Sequence, residues 1–355
     1  MTTWKSQLNH DPVQPLLRGG FAAISLFARR DLLSEPAGAI EQLWDLPEVL
    51  RIVRKQRPDG SWKPAAGKQD KCPGVKYPLI ETWRNLRHLV DQYELDHRHP
   101  AVHKACEYVL SCQTAEGDIR GILANQYAPY YTGALLYLLI KAGYGDDPRI
   151  ERGMRWLLEV RQADGGWVIG SPGMLGLGKL SAREMNDLTS NGKRETAKAF
   201  DPSQPFSAAG TGMALRAFAI SPRYRKSPQA SAAARLLKSK LLREDNWSSY
   251  QHPDNWVRFQ FPFWWTQLVS ALDTLSLMGW SAQDSDVRRG VDWLVAHQQP
   301  DGLWKTSYSR IHKSSGGAEK VELRQWITLA ICRVLRRLSA SDGAGTSAGA
   351  PPQPL

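Results

Sequence analysis

The chain has 355 residues, with 46 Lys and Arg against 35 Asp and Glu for a formal charge of +11, and 42% of it is hydrophobic. This composition carries a sizeable core and excludes a disordered chain, a collagen and a disulfide scaffold, since it holds only 29 Gly and 4 Cys. No apolar run is long enough to span a membrane and the start, Met1 to Gln7, lacks the apolar core of a signal peptide, so a cytoplasmic protein with reduced Cys72, Cys106, Cys112 and Cys332 is expected.

Proline marks the expected helices, because its missing N–H and fixed φ suit the first helical position. In chain order, an apolar helix from Pro15 is followed by a charged, amphipathic one from Pro47 that ends in the turn Gln56-Arg-Pro-Asp-Gly-Ser-Trp62. The same alternation runs from Pro78 (apolar) to Pro100 (amphipathic), closed by Gln113-Thr-Ala-Glu-Gly-Asp-Ile119, and from Pro129 to Pro148, closed by Gln162-Ala-Asp-Gly-Gly-Trp167. Residues 169–204 form a Gly-, Ser- and charge-rich insertion, too long for an ordinary connection and expected to be a lid or loop. Beyond it come an apolar helix from Pro205, an amphipathic one from Pro228 with a degenerate turn at Leu242-Arg-Glu-Asp-Asn-Trp247, and an apolar one from Pro262. The turn Gln298-Gln-Pro-Asp-Gly-Leu-Trp304 precedes a last apolar helix over about Lys320–Leu338, and residues 339–355 read as a disordered tail.

Amphipathic helices belong outside and wholly apolar ones inside, so the alternation predicts an all-α fold: one α/α toroid over residues 1–338, with about six inner helices and an outer helical ring. In each turn the Gln amide is expected to satisfy carbonyls at an outer-helix C-terminus, the Trp ring to cover it, and the Asp-Gly pair to supply positive φ. Asp147 and Asp284 are expected to be helix N-caps.

The Gln…Asp-Gly-x-Trp turns resemble the QW-type motifs of the prenyltransferase and squalene-oxidase repeat family, which includes squalene–hopene and oxidosqualene cyclases and the β subunits of protein prenyltransferases. The resemblance covers about residues 12–338. Segments such as Ala115–Ile122, Asn125–Gly133 and Phe261-Pro-Phe-Trp-Trp265 resemble a bacterial single-domain branch. The family implies a terpenoid cyclase-like toroid. Two of its chemical signatures are missing here: no Asp-x-Asp-Asp run occurs (Asp284-Ser-Asp286 is the nearest fragment), and the zinc-binding Asp…Cys pattern cannot be placed. The cluster His97, His99, His103, Cys106 falls on an expected outer helix and reads as incidental, so neither a metal nor a cofactor is expected.

Inner helices of a toroid open their N-termini on one mouth, which favours anions. Lys71, Lys76, Arg120, Arg258 and Lys320 precede such helices, and solvated surface cations are the alternative reading of each. Aromatic side chains crowd the same helix starts: Tyr77, Trp83, Tyr127, Tyr130, Tyr131, Phe261, Trp264 and Trp265, as lumen lining or as core. Acids near these starts, Glu81, Asp118 and Glu322, are the candidate proton-transfer groups, and Asn125, Gln126 and Arg324 lie beside them as candidate substrate contacts. The expected function is an isoprenoid-handling enzyme, a terpene cyclase/isomerase or lyase, acting by acid–base chemistry on an apolar, anionic-headed small molecule. Peripheral contact with an anionic membrane fits the basic charge, and nucleic-acid binding does not fit the motifs. The alternatives are a non-catalytic lipid- or protein-binding toroid and a carbohydrate-active α/α-barrel enzyme.

Overall fold

A computed structural model describes residues 4–64, 74–169, 201–246, 252–310 and 321–344. Lys71, Cys72, Trp247, Lys320, most of the 169–204 insertion and the tail from residue 345 lie outside the described residues. Among the described residues the structure is helical, with only isolated bridges and no strand. The α-helices, in chain order, are α1 (Val13–Arg18), α2 (Ala22–Ala28), α3 (Pro47–Val53), α4 (Tyr77–Leu86), α5 (Pro100–Ser111) and α6 (Pro129–Leu139). They continue with α7 (Pro148–Glu159), α8 (Ala208–Ile220), α9 (Pro228–Ser239), α10 (Leu268–Leu277), α11 (Ser285–Ala296) and α12 (Val321–Ala344). None is long and apolar enough to cross a membrane.

The chain forms two compact units. Unit 1 comprises Met1–Gly38, Asp254–Phe261 and Gln267–Leu355; unit 2 comprises Ala39–Pro253 and Pro262–Thr266. In unit 2 every residue of α6 is buried, and α8 is buried from Ala208 to Ala219. The flanking α5, α7 and α9 bury one face only. The expected all-α class is therefore observed, with buried helices flanked by amphipathic ones as in an α/α toroid. Gly133 lets α6 and α8 approach closely: a Cβ there would lie 2.5 Å from the Ala214 Cα.

Helices α3, α5, α6, α7 and α9 begin at or beside the expected prolines, and Asp147 and Asp284 accept backbone N–H bonds as N-caps. The helix expected from Pro262 instead starts at Leu268, where Gln267 and Ser270 cap it reciprocally. Pro262–Thr266 is thus a non-helical segment, and it packs with unit 2.

The turns use their side chains differently from expectation. The indole N–H, not the Gln amide, takes the carbonyl at the outer-helix end: Trp62 to Ile52 O at 2.9 Å, Trp167 to Leu157 O at 2.8 Å, Trp304 to Leu294 O at 2.7 Å. The amides of Gln56, Gln113 and Gln298 donate within their own turns and onward to another segment, whereas Gln162 donates to Asp201 O and Gln204 O. Gln56 reaches Gly60 O and Ala101 O, and Gln113 reaches Gly117 O and Arg149 O. Ala101 and Arg149 lie in the first turns of α5 and α7, so each Gln ties one outer helix to the next. Gly60, Gly117, Gly165 and Gly302 have positive φ as the reversal requires.

Candidate functional site

Unit 2 brings an aromatic belt together from three elements. Trp83 on α4, Tyr130 and Tyr131 on α6, and Trp264 and Trp265 on the Pro262–Thr266 segment make ring contacts with one another. Trp83 meets Trp264 with centroids 4.4 Å apart and Tyr131 at 5.2 Å. Tyr131 meets Tyr130 at 4.5 Å and Trp265 at 5.8 Å. The belt straddles the segment that carries the two adjacent tryptophans: Trp264 meets α4 and Trp265 meets α6. Trp83, Tyr130 and Tyr131 are buried, whereas Trp264 and Trp265 are half-buried and form the accessible edge.

Cations sit on this belt. Arg84 lies 5.1 Å and Arg87 4.4 Å from the Trp264 centroid, and Arg87 is also 5.4 Å from that of Trp83. Glu81 accepts a hydrogen bond from Arg84 one turn along α4. Arg87 is only 4% exposed, and its Nη1 donates to Pro262 O at 2.9 Å, pinning the non-helical segment to α4.

One turn deeper, α4 and α6 widen into π-helical turns, Arg87–Gln92 and Ile140–Tyr144. Here Asp91, 3% exposed, binds three side chains, one each from α6, the turn that follows it and α8. Tyr137 donates to it at 2.6 Å, Lys141 at 2.6 Å and Arg216 of α8 at 3.1 Å. The Arg216 guanidinium also lies 3.9 Å from the Tyr137 centroid and 5.1 Å from that of Phe263. Burial alone would raise the Asp91 carboxyl, but Lys141 and Arg216 outweigh it and hold it well below the usual carboxylate range. Lys141 is raised despite its burial, because Asp91 stabilises its charge. Three donors on Asp91 thus favour its ionised form.

The remaining expected site residues fall elsewhere. Asp118, 1% exposed, is bound by Arg120 through both carboxylate oxygens, at 2.8 and 3.0 Å, and by Thr114. Arg120 also donates to Asn125 and Glu116 and lies 4.9 Å from the Tyr127 ring, whose hydroxyl donates to Glu116. This network in the loops before α6 packs on α7 through Tyr127 and Trp156, 5.6 Å apart. Gln126 beside it is buried, and Tyr77 is half-buried at the start of α4. In unit 1, Glu322 accepts from the Trp326 indole at 3.2 Å, Arg324 pairs with Asp301 at 2.9 Å, Phe261 stacks on Trp326 at 5.7 Å, and Arg258 is exposed.

Of the three candidate acids, Glu81 alone adjoins the belt. Sequence reading missed Arg87, Asp91, Lys141 and Arg216. The signal was present in the last of them: a lone Arg within Ala208-Ala-Gly-Thr-Gly-Met-Ala-Leu-Arg-Ala-Phe-Ala-Ile220 needs a buried partner.

A groove of about 450 Å³ lies on unit 2, lined by Glu116, Pro148, Glu151, Arg152, Arg155, Trp156 and Glu159. Its carboxylates Glu116 and Glu151 are engaged by Arg120 and by Arg155 and Tyr224. Among the described residues no group of three or more His, Cys, Asp or Glu is placed to hold a metal ion.

No protein-family profile matches the chain, and no curated protein matches it. Solved structures similar to it include a protein from Actinoplanes, 16% identical with a TM-score of 0.39, covering 84% of this chain and 88% of that one. The type II terpene cyclase MstE from Scytonema, as a variant in complex with merosterolic acid A, is 13% identical with a TM-score of 0.37, covering 85% and 98%. A polysaccharide lyase is 13% identical with a TM-score of 0.39, covering 87% and 88%. Likenesses this distant carry no information about a reaction.

Proposed function

We propose that this chain is an isoprenoid-handling enzyme whose substrate lies along the aromatic belt of unit 2. The observation that carries the reading is Trp264 contacted by two guanidinia, Arg84 and Arg87, at the half-buried edge that it forms with Trp265 beside the buried rings of Trp83, Tyr130 and Tyr131. Rings hold an apolar chain; guanidinia recognise an anion.

The charge pattern discriminates among reactions. Cations that lie on a ring repel a carbocation brought to the same ring, so Trp264 is a poor stabiliser for a cyclisation cascade. The same cations stabilise negative charge that develops beside an anionic head group. Among the expected reaction classes, proton removal in an isomerisation or elimination therefore fits better than protonation-initiated cyclisation. Glu81, which accepts a hydrogen bond from Arg84 next to the belt, is our candidate for taking that proton.

The test is incubation with polyprenyl diphosphates and squalene, followed by product analysis and the Glu81→Gln variant. Turnover that falls at least about 100-fold in the variant supports Glu81 as the base; undiminished turnover removes it. The second reading, a non-catalytic lipid-binding protein, is favoured by Asp118 and Glu322 both being engaged by neighbouring side chains. Tight binding without turnover of any of these compounds decides for it.

A further inference from the structure

Arg87 is the anomaly of unit 2. It is 4% exposed, yet among the described residues it makes no ion pair, although Asp91 lies one turn away. Asp91 spends its acceptor capacity on Tyr137, Lys141 and Arg216. Arg87 donates through Nη1 alone, to Pro262 O, and its Nε is buried with no acceptor. In a guanidinium Nε and Nη2 point the same way, and together they form the side-on fork that matches two oxygens of a carboxylate or phosphate. Burial works against its charge, Asp91 favours it, and Arg216 and Arg84 repel it, so an anion at the fork relieves both desolvation and repulsion.

We propose that the Nε/Nη2 edge of Arg87 anchors an oxyanion, a carboxylate or a phosphate ester, carried by an apolar body that lies against Trp264 and Trp265. This rests on the belt being the ligand site and adds the head-group class and its anchor. Arg84, part-exposed and 5.1 Å from the Trp264 centroid, attracts the anion, while Arg87 supplies the directed pair of hydrogen bonds. Lysine cannot replace it, because an ammonium has no fork.

Calorimetric titration with farnesol, farnesoic acid and farnesyl phosphate separates the claims. The anchor predicts that the two anions bind the unaltered protein at least about tenfold more tightly than the neutral alcohol. It also predicts that Arg87→Lys and Arg87→Gln lose about 10- to 100-fold for the anions and less than about threefold for farnesol. The carboxylate and phosphate arms show which oxyanion is preferred. Equal affinity of all three compounds for the unaltered protein overturns the anchor but leaves the belt standing. Failure of all three to bind overturns the belt, and the anchor with it. The comparison on the unaltered protein decides the matter even where a variant fails to fold.

Discussion

The Arg87 guanidinium lies 4.4 Å from the centroid of the Trp264 ring and is fixed there by its bond to the Pro262 carbonyl. A non-helical segment is thereby joined to α4, which buries one face through Leu79, Thr82, Trp83 and Leu86, and a half-buried ring is held where a ligand can reach it. Trp264→Leu removes contacts with Arg84, Arg87 and Trp83 together, so a loss of about 1 to 3 kcal/mol in unfolding free energy is expected. Trp264→Phe keeps a ring and retains most of that stability. Urea denaturation of both variants checks the ordering.

Asp91 ties α4 to α6 and α8 through Lys141, Tyr137 and Arg216. Removing it leaves the buried Arg216 and the half-buried Lys141 uncompensated, so Asp91→Ala is expected to cost about 3 kcal/mol or more. Replacing both cations together with the acid, as Asp91→Leu, Lys141→Met and Arg216→Met, costs much less, since no unpaired charge is then left. The difference between the single and triple variants in chemical denaturation measures that penalty.

The same residue sets an acid limit. Its folded-state pKa is depressed, so its stabilising contribution is complete above the unfolded value of about 3.9 and disappears as pH falls below that value. Asp31 in unit 1, opposed by burial but held down by Arg30 and Arg333, acts in the same direction. Stability from these pairs is expected to be flat from about pH 5 to 8 and to fall steeply below about pH 4. Thermal unfolding against pH checks this, and Asp91→Asn flattens the acid limb.

The turn geometry makes a separate prediction. Gly60 has φ +87°, and a Cβ there would lie 2.2 Å from the Lys104 carbonyl oxygen. Gly60→Ala therefore combines backbone strain with a backbone clash and is expected to cost about 2 kcal/mol or more. Trp167→Phe leaves the Leu157 carbonyl without its indole donor, at about 1 to 2 kcal/mol. Differential scanning calorimetry of the two variants tests whether the indole bond and the positive φ both matter.

The fold was readable where the sequence carries local constraints. Pro100, Pro129, Pro148 and Pro228 each open a helix because the ring fixes φ and needs no N–H partner. Pro262 misled for the same reason, since its φ suits extended backbone equally well, and the cap that matters is the Gln267–Ser270 pair. The belt was readable as composition: Trp83, Tyr130, Tyr131, Trp264 and Trp265 stand at the starts of expected inner helices. Its charged floor was not, because Arg216 and Asp91 are 125 residues apart and no local pattern pairs them. Lys141 and Asp91 also sit on π-helical turns, which shift side chains off the face that a regular helical period assigns.

The central claim, that the aromatic and cationic cluster of unit 2 is the ligand site, is tested most directly by hydrogen–deuterium exchange with and without saturating farnesyl phosphate. The account predicts added protection at Trp83–Asp91, Tyr130–Lys141 and Phe263–Trp265. Protection confined to the groove along Pro148–Glu159, or none under saturation, would contradict it.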